Sequence, residues 1–255
     1  FGTLLGLNFC CNSADGKYWF TTNTGSIVSA DPSMQYFQEY AQPDGIMDMA
    51  MDLYYSKKSG LWAAGSHHGI AAVARYLNGH WSVTSFPDLY LGIAYSGIIE
   101  LGDSAIAFPG NGILELDNTN FKGGFVAYNY KRNEWQKFPS SRVPQRIPSI
   151  GQTSNGNLWF SGNSLQMFDG HKTSNVELPA KILSWTDDIG ITPTDHIWVA
   201  QGGTGLFYND GEKWTRFTTF NGLASNMVTN ILAENDRSVY IASYIGISFF
   251  DGKQF

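Results

Sequence analysis

The sequence predicts an all-β protein, a β-propeller with six visible blades of four antiparallel strands each. Three observations predict it: the composition, a repeat of about 42 residues, and a turn that recurs once per repeat. Across 255 residues only 15% are charged, while 28 glycines stand beside 8 Trp, 13 Tyr and 17 Phe. Aromatics and glycines at low charge favour short strands joined by tight turns over helices or disorder. The net charge of −6 argues against nucleic acid as a partner, because no basic stripe displaces counterions from phosphates. No apolar run approaches the roughly 18 residues of a membrane-spanning helix.

Each copy of the repeat is anchored by an aromatic that opens a short apolar strand. The copies are YWFTTNTGSI (Tyr18 to Ile27), LWAAGSHHGI (Leu61 to Ile70), LWFSGNSLQMF (Leu158 to Phe168), IWVAQGGTGL (Ile197 to Leu206) and VYIASYIGI (Val239 to Ile247). A weaker copy, AIAFPG, puts Ala105 in the aromatic's place. The anchors Trp19, Trp62, Ala105, Trp159, Trp198 and Tyr240 lie 43, 43, 54, 39 and 42 residues apart, which sets the blades at 1–41, 42–86, 87–138, 139–178, 179–218 and 219–255 of one propeller domain.

The last copy shows the elements in order. MVTNILAE (Met227 to Glu234) is the first strand, NDRS a turn, VYIAS the second strand and GISFF the third. DGK then turns the chain toward a fourth strand, as Gly and, tolerably, Asp accept positive φ. Related turns stand at FDGHK (Phe168 to Lys172), LNGHW (Leu77 to Trp81) and FYNDGEKW (Phe207 to Trp214). The sequence stops at Phe255, one residue into the fourth strand, leaving a sheet edge unpaired. Either the first four residues help to close the ring or the chain is an excerpt of a longer propeller, seven-bladed or double. The second reading is preferred, with further domains in the parent protein.

Trp19, Trp62, Trp159 and Trp198 open second strands, and Trp81, Trp135 and Trp214 open fourth strands. All seven are expected between blades as core. Cys10 and Cys11 fall on one strand with side chains on opposite faces, so an ordinary disulfide between them is not expected.

The stretch Trp214 to Gly252 resembles the two-component regulator propeller repeat. The matching positions are Trp214, Asn221-Gly222-Leu223, Ser225-Asn226, Val228, Ile231, Glu234, Tyr240, Gly246-Ile247 and Asp251-Gly252. The match is strong over blades five and six, fair over one, two and four, and poor over three. The resemblance implies a periplasmic or bacterial cell-surface location. Propellers of this kind form periplasmic sensor regions of hybrid two-component systems, many tied to polysaccharide use, and related ones serve type IX secretion. Its signature residues are structural, so it carries over no catalytic residue.

Binding chemistry is expected in loops mounted on the blades. The links between second and third strands share one face with the links from blade to blade. Blade three carries about a dozen extra residues there, roughly 109–122, a length that marks a binding loop or drift. It offers Glu115, Asp117, Asn118, Asn120 and Lys122. Trp185 is the tryptophan that the repeat does not claim, and it precedes Asp187 and Asp188. An indole with neighbouring carboxylates suits stacking on a sugar ring with acceptors for its hydroxyls. The same two carboxylates leave Ca²⁺ open, although no cofactor is required. His67 and His68, Tyr90, Arg142, Arg146 and Tyr244 complete the candidates, the two arginines as a clamp for a carboxylate or uronate.

No G-x-S-x-G elbow, H-E-x-x-H, phosphate-binding loop or Cys-rich zinc pattern occurs in the sequence. The preferred function is a sensor propeller binding an oligosaccharide-like ligand. A protein-interaction scaffold is the alternative. A metal-assisted lyase or lactone hydrolase, drawing on Asp48, His67, Asp187 and Asp188, is the third.

Overall fold

The computed structural model describes residues 6–90, 97–110, 124–144, 146–179 and 185–255, with the backbone alone at 88–90. The regular elements are strands, apart from two single 3-10 turns at Gln42–Asp44 and Thr219–Asn221. The chain divides into two compact units, Phe1–Ser140 and Ser141–Phe255.

The first unit holds three sheets. Sheet one is β1 (Leu7–Asn12), β2 (Tyr18–Thr22), β3 (Ile27–Ala30) and β4 (Phe37–Tyr40). Sheet two is β5 (Met49–Ser56), β6 (Gly60–His67), β7 (Ile70–Leu77) and β8 (His80–Tyr90). Sheet three is β9 (Ile99–Leu101), β10 (Ala105–Pro109), β11 (Gly124–Asn129) and β12 (Glu134–Pro139). The third strand of blade three therefore begins at Gly124, as expected. The extra residues before it lie at 111–123, outside the described residues.

In the second unit, sheet four is β13 (Ile150–Gln152), β14 (Leu158–Phe160), β15 (Gln166–Phe168) and β16 (Thr173–Asn175). Sheet five is β17 (Thr186–Ile191), β18 (Ile197–Gln201), β19 (Gly205–Asn209) and β20 (Trp214–Phe217). Sheet six has three strands, β21 (Val228–Asn235), β22 (Ser238–Ser243) and β23 (Gly246–Phe250). Every sheet pairs its strands antiparallel in chain order. These are the blades of a β-propeller.

Aspartate-glycine turns close the outer hairpins of sheets four and five, and a third follows the last strand of sheet six. Asp169 accepts the N–H groups of His171 and Lys172, Asp210 those of Glu212 and Lys213, and Asp251 those of Lys253 and Gln254. The glycine that follows each takes φ of 93–96°, which a Cβ would penalise. The same N–H groups hold all three carboxyls below the ordinary carboxylate range.

Neighbouring sheets pack face to face, and the face follows from strand alternation. Trp19, Ile27 and Tyr40 of sheet one meet Leu53, Leu61, Ala63, Ala74 and Trp81 of sheet two. The other face of sheet two, with Trp62, Ala64 and Val73, meets Ile106, Phe108, Val126 and Tyr128 of sheet three. Sheets five and six repeat this with Trp198 and Leu206 against Val228, Val239, Ile241 and Phe250. Trp159 and Trp214 flank the cluster of Leu165, Ile189, Val199 and Phe207 between sheets four and five, and Trp135 packs against the sheet two–three core. Of the seven repeat tryptophans, Trp19, Trp62, Trp81 and Trp198 are buried in the core, while Trp135, Trp159 and Trp214 are half-buried and pack against it.

Polar contacts also join consecutive blades at the turn between first and second strands. Ser56 Oγ donates to Glu100 Oε1 at 2.6 Å, Ser154 N–H to Asp195 Oδ1 at 2.7 Å, and Thr192 and Thr194 hydroxyls to Asp236 Oδ1 at 2.5 Å each. These partners are 41 to 44 residues apart, about one blade, so the clasp is part of the repeat.

Candidate functional site

The site in the second unit is built on the start of β17. There β17 carries a bulge, for Thr186 pairs with Gln201 and Asp188 with Ala200 while Asp187 opposes no residue. A bulge re-aims side chains, and here it sends two adjacent aspartates to different environments. The strand is anchored just before it by a two-way clasp to the β14–β15 hairpin. Thr186 N–H donates to Gly162 O at 2.8 Å, and Gly162 N–H donates to Thr186 Oγ1 at 2.7 Å. Gly162 has φ 145°, and a Cβ there would stand 3.0 Å from the carbonyl oxygen of Arg146. Only glycine lets these three segments meet.

Trp185, half-buried, is brought against Arg146. The exposed guanidinium lies over the indole with its carbon 4.3 Å from the ring centroid, a cation–π arrangement. Asp187 is half-buried beside the β18–β19 hairpin and accepts the N–H of Gly202. Burial pushes its carboxyl up, and the Gly202 N–H opposes that. A Cβ on Gly202 would sit 3.0 Å from Asp187 Oδ2. The hairpin continues to Gly203, where a Cβ would stand 3.5 Å from the Met227 sulfur. The indole with its guanidinium thus stands two residues along the chain from this half-buried carboxylate.

Asp188 turns the other way. It is 8% exposed, and its oxygens accept the N–H groups of Ile189 at 2.9 Å and, from sheet six, Ile231 at 2.7 Å. Burial pushes its carboxyl up to about 6, against the opposing hydrogen bonds from Ser149, Ile231 and Ile189. It ties three successive inner strands together rather than facing the loop side. Among the described residues no group of three or more His, Cys, Asp and Glu is placed to hold a metal ion.

The arginines separate. Arg142 lies over Phe168 at 5.6 Å and donates from Nη2 to Gly170 O at 3.2 Å, on the outer hairpin of sheet four, so only Arg146 joins Trp185. Tyr244 is 76% exposed at the tip of the β22–β23 hairpin. Glu115, Asp117, Asn118, Asn120 and Lys122 lie outside the described residues, as does the side chain of Tyr90.

A second cluster stands in the first unit, where the β6–β7 hairpin meets the link into β5. The His67 and His68 rings lie 4.1 Å apart. Asp48 accepts the His68 N–H at 3.0 Å, and its oxygens lie 3.8 and 3.9 Å from the Nδ1 atoms of His67 and His68. His68 holds φ 53°, a cost that the Asp48 hydrogen bond offsets. The link-and-hairpin face expected from strand order is therefore real here, with Asp48 as the organising acceptor.

Gly162, Thr186 and Gly202, which position Trp185 and Asp187, carry no signal in the sequence that sets them apart. The inter-blade acids were missed as well, although a hydroxyl-bearing residue followed about 42 residues later by an acid is a readable signal.

No family model and no curated protein matches the chain. Solved structures match in fold. One is PorZ, a surface component of the type IX secretion system of Porphyromonas gingivalis, with TM-score 0.72 and 16% identity over 96% of this chain and 38% of that one. Another is the extracellular domain of a hybrid two-component system of B. thetaiotaomicron, with TM-score 0.69 and 17% identity over 99% of this chain and 34% of that one. A third is virginiamycin B lyase from Staphylococcus aureus, with TM-score 0.68 and 15% identity over 98% and 85%. The chain thus spans little more than a third of the first two. Likeness at this identity fixes the β-propeller fold. These neighbours include extracellular domains and a cell-surface component, and no described helix of the present chain is long and apolar enough to cross a membrane.

Proposed function

We propose that this chain is an extracytoplasmic sensor propeller, periplasmic or at the cell surface, that binds an oligosaccharide-like ligand on the loop face of its second unit. The observation that carries the reading is the Arg146–Trp185 stack, two residues along the chain from the half-buried Asp187 carboxylate. Indole and guanidinium supply a flat, amphipathic platform for a sugar ring, and the carboxylate accepts from its hydroxyls. Arg146 adds a charge-assisted donor for an acidic substituent. The extracellular domain among the structural neighbours agrees with such a role.

Calorimetry and thermal shift against neutral and acidic oligosaccharides test it, with Ca²⁺ and Zn²⁺ arms. A glycan that stabilises the chain is expected to lose its effect in Trp185→Ala, and an acidic glycan to lose most of it in Arg146→Ala. A flat screen with both variants folded overturns the reading.

A protein-interaction scaffold is the second reading, favoured by one observation. Phe220 is 99% exposed and Ile245 75%, on the link and hairpin of blade six, and exposed apolar groups at loop tips serve protein contacts.

A further inference from the structure

The Arg146–Trp185 stack differs from the other described cation–π pairs in where it stands. Arg75 lies over Trp62 and Tyr128 at 5.0 and 5.6 Å, with its Nε donating to Ser59 O, and Trp62 is 2% exposed. That pair is core, and no ligand reaches it. Arg142 lies over Phe168, which is buried as well. Arg146 is exposed and Trp185 half-buried, so their stack is a surface feature. At 4.3 Å it is also the closest of these contacts among the described residues. A guanidinium at that distance touches the ring and leaves no gap that a sugar could enter. One face of the indole is therefore covered by the chain's own cation.

The main chains behind the two side chains are fixed. Thr186, next to Trp185, is bonded to Gly162 through both its N–H and its Oγ1, and a Cβ on Gly162 would stand 3.0 Å from the Arg146 carbonyl oxygen. What can move is the guanidinium, on a side chain rich in rotamers. Two contacts then compete for it. An exposed cation–π contact is weak, whereas a bidentate pair with a carboxylate is charge-assisted and stronger. We infer that Arg146 is the specificity-determining residue of this site: an acidic sugar draws it off the indole by pairing with it, and a neutral sugar must displace it without that return. Selection of this kind rests on the site binding sugars as proposed, and it makes uronates the favoured class, with Trp185 uncovered as they bind.

Calorimetry of the whole chain with trigalacturonate and its methyl ester tests this, because the ester removes the charge and keeps the rings and linkage. The native chain should bind the free acid more tightly than the ester. Arg146→Ala should weaken the free acid about tenfold or more, through loss of a charge-assisted pair. The same variant should bind the methyl ester about two- to fivefold more tightly, since no cation–π contact has to be broken. Trp185→Ala should weaken both probes. Acrylamide quenching gives a readout without sugar: the emission that Trp185→Phe removes should be more accessible in Arg146→Ala than in the native chain. Circular dichroism checks folding, and Arg146→Gln replaces Arg146→Ala should that variant unfold. A methyl ester that weakens along with the free acid in Arg146→Ala, or does not respond, overturns the selection and leaves sugar binding standing. Failure of both probes with native chain and variant overturns it too, while a neutral glycan found in the broader screen would keep the sugar reading.

Discussion

Asp187 and Asp188 are neighbours in sequence with opposite tasks, and the bulge between Thr186 and Asp188 divides them. Asp188 is a buried acceptor for two main-chain N–H groups. Replacing it by Ala removes the acceptor of the Ile231 N–H and leaves the Ile189 N–H only a long contact of 3.4 Å to Ser149 Oγ, and is expected to cost roughly 2–4 kcal/mol in chemical denaturation. Its pH dependence has an unusual sign. Burial raises the folded carboxyl to about 6, so the folded state holds the proton more tightly than the unfolded chain. Lowering pH through about 6 toward the ordinary carboxylate range therefore adds stability, and raising it removes stability until the group is fully ionised. Denaturation of the native chain and Asp188→Asn side by side should show the native chain gaining on the variant over that window. A constant difference would rule the assignment out. Alternation places the two aspartates on opposite faces, but the bulge shifts the register at this point, so the sequence does not show which of them faces the core.

Strands and turns carry a second set of outcomes. The clasp from Thr192 and Thr194 to Asp236 joins sheets five and six, and His196 Nδ1 lies 3.2 Å from the same carboxylate. Although burial alone would raise the Asp236 carboxyl, the threonine hydroxyls and His196 lower it. Its contribution is thus present above the ordinary carboxylate range and lost as pH falls below it, the reverse of Asp188. Asp236→Ala should cost about 1–2 kcal/mol at neutral pH and progressively less in acid. Two anchor tryptophans offer a comparison. Trp62 Nε1 donates to Ser59 Oγ at 2.9 Å under the Arg75 guanidinium, whereas Trp198 Nε1 is buried with no partner among the described residues. Trp62→Phe removes a hydrogen bond and a cation–π contact together with volume. Trp198→Phe removes volume and an unpaired donor, so it should be milder by about 1 kcal/mol in urea titration. The anchor positions were legible because burial imposes an aromatic once per blade. Their polar partners were not, since Ser59 and Asp236 sit in turns where many polar residues would serve the backbone equally.

At the scale of the molecule, a period near 42 and its Asp-Gly turns were enough to read a propeller from the sequence, because every blade must solve the same packing problem. The site was legible only in part. Trp185 stood out because the repeat does not need it, while its partner Arg146 is 39 residues away and comes to it only through the meeting of Gly162, Thr186 and the link before β13. The cysteines lead to a practical consequence. Cys10 faces solvent on β1, while Cys11 is half-buried with its thiol pushed up to about 12 by burial first, and then by Asp52 and Cys10. A thiol needs its thiolate form and access to react, so a maleimide dye should attach once per chain, at Cys10. A single fluorophore there would report on the first unit alone, leaving Trp185, in the other unit, to report ligand through its own fluorescence.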